Sequence, residues 1–166
     1  MNRNKQKNVL KILIVVVMIG LIGGFVYVFI FNTPSNQAQQ AVEEFYKYEQ
    51  EGAFAESWDM FHPYMKERFE KGKYLEDRPH VFLNHFGVNT FTFTIDDTKQ
   101  VRDWQMEEDA EPIDEVYKIT VTQYFQGIYG NFEIVQDVYA TLQDDEWTIL
   151  WDYKKSETNE DPEKIR

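Results

Sequence analysis

The 166-residue chain contains no cysteine. This absence excludes a disulfide framework, a zinc site with thiolate ligands, an iron–sulfur cluster and a cysteine nucleophile. Proline is also scarce, with five residues, whereas aromatic residues make up 16% of the chain. Because large aromatic groups offset the entropy lost when a chain becomes ordered, the composition indicates a folded protein. Its stability must come from packing, and its length favours one modest domain.

Charged residues are absent from Ile12 to Phe31, a run of 20 residues. At about 1.5 Å of rise per residue, a helix of this run is about 30 Å long, which matches the hydrocarbon core of a bilayer. The run therefore predicts a transmembrane helix over residues 12–31. A cleaved signal peptide is the alternative. We favour an uncleaved signal anchor, because the run exceeds a usual signal-peptide core and no small-x-small cleavage site borders it.

Acidic residues are absent before Glu43, and the four charges that precede the apolar run are all positive: Arg3, Lys5, Lys7 and Lys11. By the positive-inside rule, residues 1–11 form a cytoplasmic stub and the rest of the chain lies outside the cell membrane. Since four of the 17 basic residues precede the run, the outer part has 13 basic and 29 acidic residues, a net charge of −16. Nucleic acid is therefore not expected as a partner.

Helical periodicity marks the first half of the outer part. After a linker at residues 32–35, apolar residues recur every three or four positions, which predicts an amphipathic helix over about 36–51, capped by Ser35 or Asn36 and ended by Gly52. A second helix begins at Ala53 and restarts at Pro63. We predict that Gly72 closes this segment and that a short helical piece follows over about 79–86.

Alternating apolar and polar residues mark the second half, beginning with Phe91, Phe93 and Ile95. The pattern predicts a turn at Asp96 and Asp97, a weaker strand over about 98–106, an acidic loop, and three long strands over 115–126, 131–143 and 146–153. The short connections between these strands indicate antiparallel pairing. The folded domain is thus predicted over residues 36–153, followed by a disordered acidic tail over 154–166.

The helical opening and the closing EWTILWDY resemble the nuclear-transport-factor-two-like superfamily, and in particular the N-terminal, non-catalytic domain of class B penicillin-binding proteins. The matching residues are Gly52, Trp58, Trp147, Trp151 and Asp152. The resemblance implies an α+β fold in which two to three helices pack on a curved antiparallel sheet, known as a cystatin-like cone. The sequence has no Ser-x-x-Lys motif, so transpeptidase activity is not expected.

No recognisable catalytic motif is present. Candidate acid–base groups are His62, His80, His85, Asp59, Asp103, Asp137, Tyr46, Tyr48 and Tyr124. Asp59 and His62 stand close enough on one helix to pair, and Tyr48 with Asp137 loosely matches the helix tyrosine and sheet acid of ketosteroid isomerase. Neither the histidine spacing nor the acidic turns fit a metal site, so no metal and no cofactor are expected.

An aromatic pocket is the best prediction for a ligand site, with Trp58, Phe82, Tyr124 and Trp151 as its lining. The alternative is that these side chains simply belong to the core.

Three functions stay open from the sequence. The first is a membrane-anchored, extracytoplasmic interaction or scaffold module of a bacterial envelope, with a protein partner in wall synthesis or another membrane machinery. The second is a pocket that binds or isomerises a small apolar ligand. The third is a structural subunit of a secretion or conjugation channel. We expect no enzymatic activity and make no prediction of oligomeric state.

Overall fold

A computed structural model describes residues 3–31, 33–80, 87–88 and 90–154. Helix α1 (Arg3–Phe31) contains the predicted transmembrane run, of which the side chains of residues 26–31 lie outside the described part. The large apolar side chains described between Ile12 and Phe25 are 53–73% exposed. No helix in the described part of the chain is both long and apolar enough to cross a membrane.

Four further helices form one layer of the domain: α2 (Pro34–Glu51), α3 (Phe54–Asp59), α4 (Pro63–Arg68) and α5 (Lys71–His80). Helix α2 begins earlier than predicted, because the Thr33 side chain accepts the backbone N–H of Asn36 at 3.3 Å and Pro34 fills the first position. The caps predicted at Ser35 and Asn36 were therefore wrong, and two of the four predicted linker residues, Pro34 and Ser35, belong to the helix. Gly52 ends α2 with a φ of 75°, as predicted.

The described part of the domain has four helices, α2 to α5, which is more than the two to three predicted. His62, with extended backbone, and Pro63 restart the helix as predicted. Gly72 does not close a helix; it lies inside α5, which continues through Pro79 to His80. Residues 81–86 of the predicted short helix, and residues 155–166 of the predicted tail, lie outside the described part.

The second layer is an antiparallel sheet of five strands: β1 (Thr92–Ile95), β2 (Lys99–Trp104), β3 (Ile113–Gly127), β4 (Gly130–Gln143) and β5 (Glu146–Trp151). Strands β1, β3, β4 and β5 are neighbours in that order, and β2 also pairs with β3. The three long strands and their antiparallel pairing confirm the prediction.

The predicted turn at Asp96 and Asp97 was wrong, because β1 and β2 lie end to end along the same edge of β3. Ile95 pairs with Val121 and Lys99 pairs with Lys118, so three residues of this edge oppose two residues of β3. The extra residue is a β-bulge. It moves the side chains that follow to the other face of the sheet, which ends the alternation that begins at Phe91.

The main core lies between α2 and the inner face of the sheet, where Phe45, Tyr46, Phe61 and Phe125 are at most 1% exposed. A smaller cluster lies on the outer face, where the Trp104 ring stacks on Tyr139 with centroids 4.2 Å apart. Both faces of the sheet therefore bury apolar side chains at the end near β5.

Candidate functional site

Two of the four predicted pocket residues lie near each other. The indole N–H of Trp58, in α3, donates to the carbonyl of Phe69 at 2.7 Å, and the Trp151 ring lies 5.9 Å from the Phe69 ring. Tyr124 lies on the opposite face of the sheet, where it is 41% exposed and its hydroxyl is 3.5 Å from Thr94 Oγ1. Phe82 is outside the described residues. The structure thus brings Trp58 and Trp151 together around Phe69 and leaves Tyr124 apart.

The loosely predicted pair of Tyr48 and Asp137 does not form. Tyr48 donates to Glu44 on the exposed side of α2, at 3.1 Å. Asp137 points away from the helices, accepts from Thr120 at 2.7 Å and pairs with Lys118 at 2.6 Å. Burial by itself raises the pKa of Asp137, but the hydrogen bonds from Lys118 and Thr120 bring that pKa below its ordinary value.

A different tyrosine and a different polar residue of the sheet do meet. They are Tyr46, two residues before Tyr48 on α2, and Gln136, one residue before Asp137 on β4. The Tyr46 hydroxyl donates to Gln136 Oε1 at 3.3 Å in the space between α2 and the sheet. Burial raises the pKa of Tyr46 well above its ordinary value, so this phenol stays protonated. Neither group is a general base at neutral pH.

The buried stripe of α2 contains an acid that the sequence analysis missed. Val42, Phe45 and Tyr46 lead at helical spacing to Glu49, which is 2% exposed. Glu49 Oε1 accepts from Ser57 at 2.5 Å and from Tyr74 at 2.7 Å. A carboxylate at a stripe position of an amphipathic helix was the signal available in the sequence.

Arg78 completes this network from α5. Its Nε donates to Glu49 Oε2 at 2.7 Å, and its Nη2 lies 2.6 Å from the same oxygen. Burial by itself lowers the pKa of Arg78, but the charge of Glu49 raises it above its ordinary value. With three hydrogen bonds and an ion pair to Arg78, the Glu49 carboxylate joins α2, α3 and α5, and both of its oxygens are occupied by these partners.

The other candidate pair, Asp59 with His62, does not form, and each residue makes other contacts. Asp59 pairs with Lys71 at 2.5 Å. His62 is 5% exposed and accepts the backbone N–H of Tyr64 at 3.2 Å, which caps α4. Burial lowers the pKa of the His62 imidazole. Within the described residues, no group of three His, Asp or Glu side chains is arranged to hold a metal ion.

A cleft of about 410 Å³ opens between α4, α5 and the end of β5. Its apolar walls are three rings set at steep angles: Phe69 meets Tyr74 at 58° and Trp151 at 71°. The remaining lining residues are charged: Arg68, Glu70, Lys73, Asp77 and Arg78. This cleft shares Trp151 with the predicted pocket, and α5 supplies much of the rest.

Comparisons with protein families and with curated proteins find no match for the sequence. Function is therefore inferred from the residues of this chain.

Proposed function

We propose that the protein is a single-pass membrane protein of a bacterial envelope that displays a non-catalytic interaction domain outside the cell membrane. The uncharged run of residues 12–31 and its basic flank support the anchor. The exposure of the apolar side chains described in α1 supports the anchor as well, since contact between so much apolar surface and water is unfavourable.

The observation that carries the proposal is the apolar tip of the β3–β4 hairpin. Ile128 is 73% exposed and Tyr129 is 98% exposed, between Gly127 and Gly130. Large apolar side chains grouped on a surface mark contact sites, and tyrosine is enriched among the residues that contribute most to binding. Because the outer part of the chain has a net charge of −16, we expect the partner to present an apolar groove with a basic rim.

The tip lies far from the point at which the chain enters the domain. The start of α2 meets the start of β5, where Trp147 donates to Gln37 at 3.1 Å. The end of α2 meets the chain just before β1, where Gln50 donates to the Phe91 carbonyl at 2.6 Å. Strand β4 has 14 residues and spans about 43 Å at about 3.3 Å per residue. A tip at this distance suits a partner in the envelope rather than the lipid surface.

The resemblance to the non-catalytic domain of class B penicillin-binding proteins supports a cystatin-like cone and a place beside wall-synthesis machinery. The isomerase alternative has less support, because Glu49, the buried acid of the core, is held by three hydrogen bonds and an ion pair with Arg78. A channel subunit is the second candidate, favoured by the same exposed tip if it contacts further copies of this chain.

Site-specific photocrosslinking in intact membranes tests the proposal. A photoreactive residue at Tyr129 should capture one reproducible envelope protein. The matched control is a photoreactive residue at Glu146, which is exposed and starts β5 beside the far end of β4. It should not capture this protein. Adducts between copies of this chain would favour the channel subunit. Unreacted monomer alone at position 129, or the same adducts at both positions, would contradict a docking tip.

The orientation is tested separately, and the lack of native cysteine makes the test clean. In intact cells, E146C should react with a membrane-impermeant maleimide, whereas N4C should react only after the membrane is opened. The reverse pattern would overturn the proposed topology, whatever the crosslinking result.

A further inference from the structure

The cleft between α4, α5 and β5 has no role in the proposed tip interaction. Its volume of about 410 Å³ falls within the range of about 300 to 1,000 Å³ that small-molecule sites occupy. The space between α2 and the sheet, by contrast, is filled by side chains such as Phe45 and Phe61, which are not exposed at all. The cleft is therefore a concave apolar surface outside the core.

The lining of the cleft is held in place before any ligand arrives. The Glu49 network fixes Tyr74 and Arg78 on α5. The Arg68 guanidinium lies 3.7 Å from the centre of the Tyr153 ring and pairs with Glu107 at 3.3 Å. A preorganised wall favours binding, because little side-chain entropy is lost when the ligand enters.

Cationic residues outnumber acidic ones in this lining, three to two: Arg68, Lys73 and Arg78 against Glu70 and Asp77. Three other clefts lack that excess. The cleft beside Tyr64 has one cation and three acids, the cleft at the β-bulge has two of each, and the cleft beside Trp147 has two acids and no cation. In a domain of strongly negative charge, the lining of this cleft therefore repels an apolar anion less than the linings of those three clefts.

Lys73 is the rim cation best placed to meet a ligand. Arg68 and Arg78 are each paired with a glutamate, whereas Lys73 is exposed and forms no ion pair with any residue that the structure describes. Glu70 and Asp77 flank Lys73 and disfavour a ligand with two negative charges.

We propose that this cleft binds a small apolar molecule with a single carboxylate. The apolar body lies against the rings of Phe69, Tyr74 and Trp151, and the carboxylate pairs with Lys73.

Three probes that share one apolar ring system separate charge from shape: 2-naphthoate, 2-naphthamide and 2-naphthylmethylammonium. Each is measured by equilibrium dialysis against the full-length protein in zwitterionic nanodiscs, with empty nanodiscs as the blank. We expect saturable binding of one naphthoate per chain, weaker binding of the amide and the weakest binding of the ammonium. Equal binding of all three, or no saturable binding of naphthoate, would overturn the proposal.

The Lys73→Gln variant tests the charged contact, because it leaves the apolar walls in place. We expect it to weaken naphthoate binding about threefold, the size of an exposed ion pair, and to leave naphthamide binding unchanged. Lys71→Gln is the matched control: Lys71 pairs with Asp59 and does not line the cleft, so neither probe should be affected. An equal loss in both variants, or no loss in K73Q, would show that Lys73 does not hold the carboxylate. Circular dichroism confirms that both variants fold.

Discussion

Replacing Glu49 with glutamine removes one negative charge from the buried network and changes little else in shape. The amide NH2 of the new glutamine can face Ser57 and Tyr74, whose hydroxyl groups can rotate to accept hydrogen bonds from it. The amide oxygen then faces Arg78. The hydroxyl bonds are thus largely replaced, and the main loss is the charge opposite the guanidinium.

The size of that loss follows from burial. The Glu49 side chain is not exposed at all, whereas the Arg78 side chain is 21% exposed. Removing one partner of a buried ion pair costs about 3 to 5 kcal/mol. Because Arg78 retains some contact with water, we expect a decrease of about 3 kcal/mol in the free energy of unfolding. For a chain of this size, that decrease lowers Tm by about 6 to 12 °C.

Urea unfolding of the full-length protein, followed by tryptophan fluorescence, measures this change. All four tryptophans lie in the folded domain, so the signal does not report α1. Glu43→Gln is the control, because Glu43 pairs with Lys47 at 2.7 Å on the surface, with 47% of its side chain exposed. We expect E43Q to change the free energy of unfolding by less than about 0.5 kcal/mol.

A loss below about 1 kcal/mol in E49Q would refute the argument that this network joins the three helices. The double variant E49M/R78M supplies a further check. Since it removes both charges, it should be more stable than E49Q. If it were less stable, the cost would lie in packing rather than in the unpaired guanidinium.

Four further changes are expected to alter stability. G52A should cost about 1 kcal/mol, because Gly52 has a φ of 75°, whereas G72A, inside α5, should stabilise by up to about 1 kcal/mol in the same denaturation assay. Burial lowers the pKa of His62, so its contribution to stability is complete above about pH 6.5 and is lost as the pH falls through its folded pKa. H62N keeps a capping side chain and should flatten the decline in stability from pH 7 to pH 5, unlike H80N; an unchanged decline would contradict this. W104A should cost about 3 to 5 kcal/mol, and a loss below 1 kcal/mol would mean that the outer cluster does not stabilise the sheet.

The local pattern of the sequence was sufficient to predict the long strands and most of α2. Apolar and polar residues alternate along strands β3 to β5, and the connections between these strands are too short for a parallel crossover, so the strands pair antiparallel. The end of α2 at Gly52 was predictable for the same local reason, a glycine where the backbone turns left-handed.

The candidate site was less predictable, because a shift of one or two positions changes what a side chain meets. Tyr46 and Tyr48 are two residues apart on α2, yet only Tyr46 faces the sheet. Gln136 and Asp137 are adjacent on β4, so they point to opposite faces. To choose between such neighbours, one must know which side of the helix faces the sheet and how the strands are paired. Both depend on the packing of the helices on the sheet.

The sequence by itself determined the division of this chain into an uncharged apolar run and an acidic α+β domain, because composition and periodicity are properties of neighbouring residues. It also determined the absence of thiol chemistry. Only the tertiary structure decided that Glu49, Ser57, Tyr74 and Arg78 meet, since three separate helices supply them. The cleft beside them is likewise a product of packing, because its walls come from elements that are about 80 residues apart in the chain and adjacent only after folding.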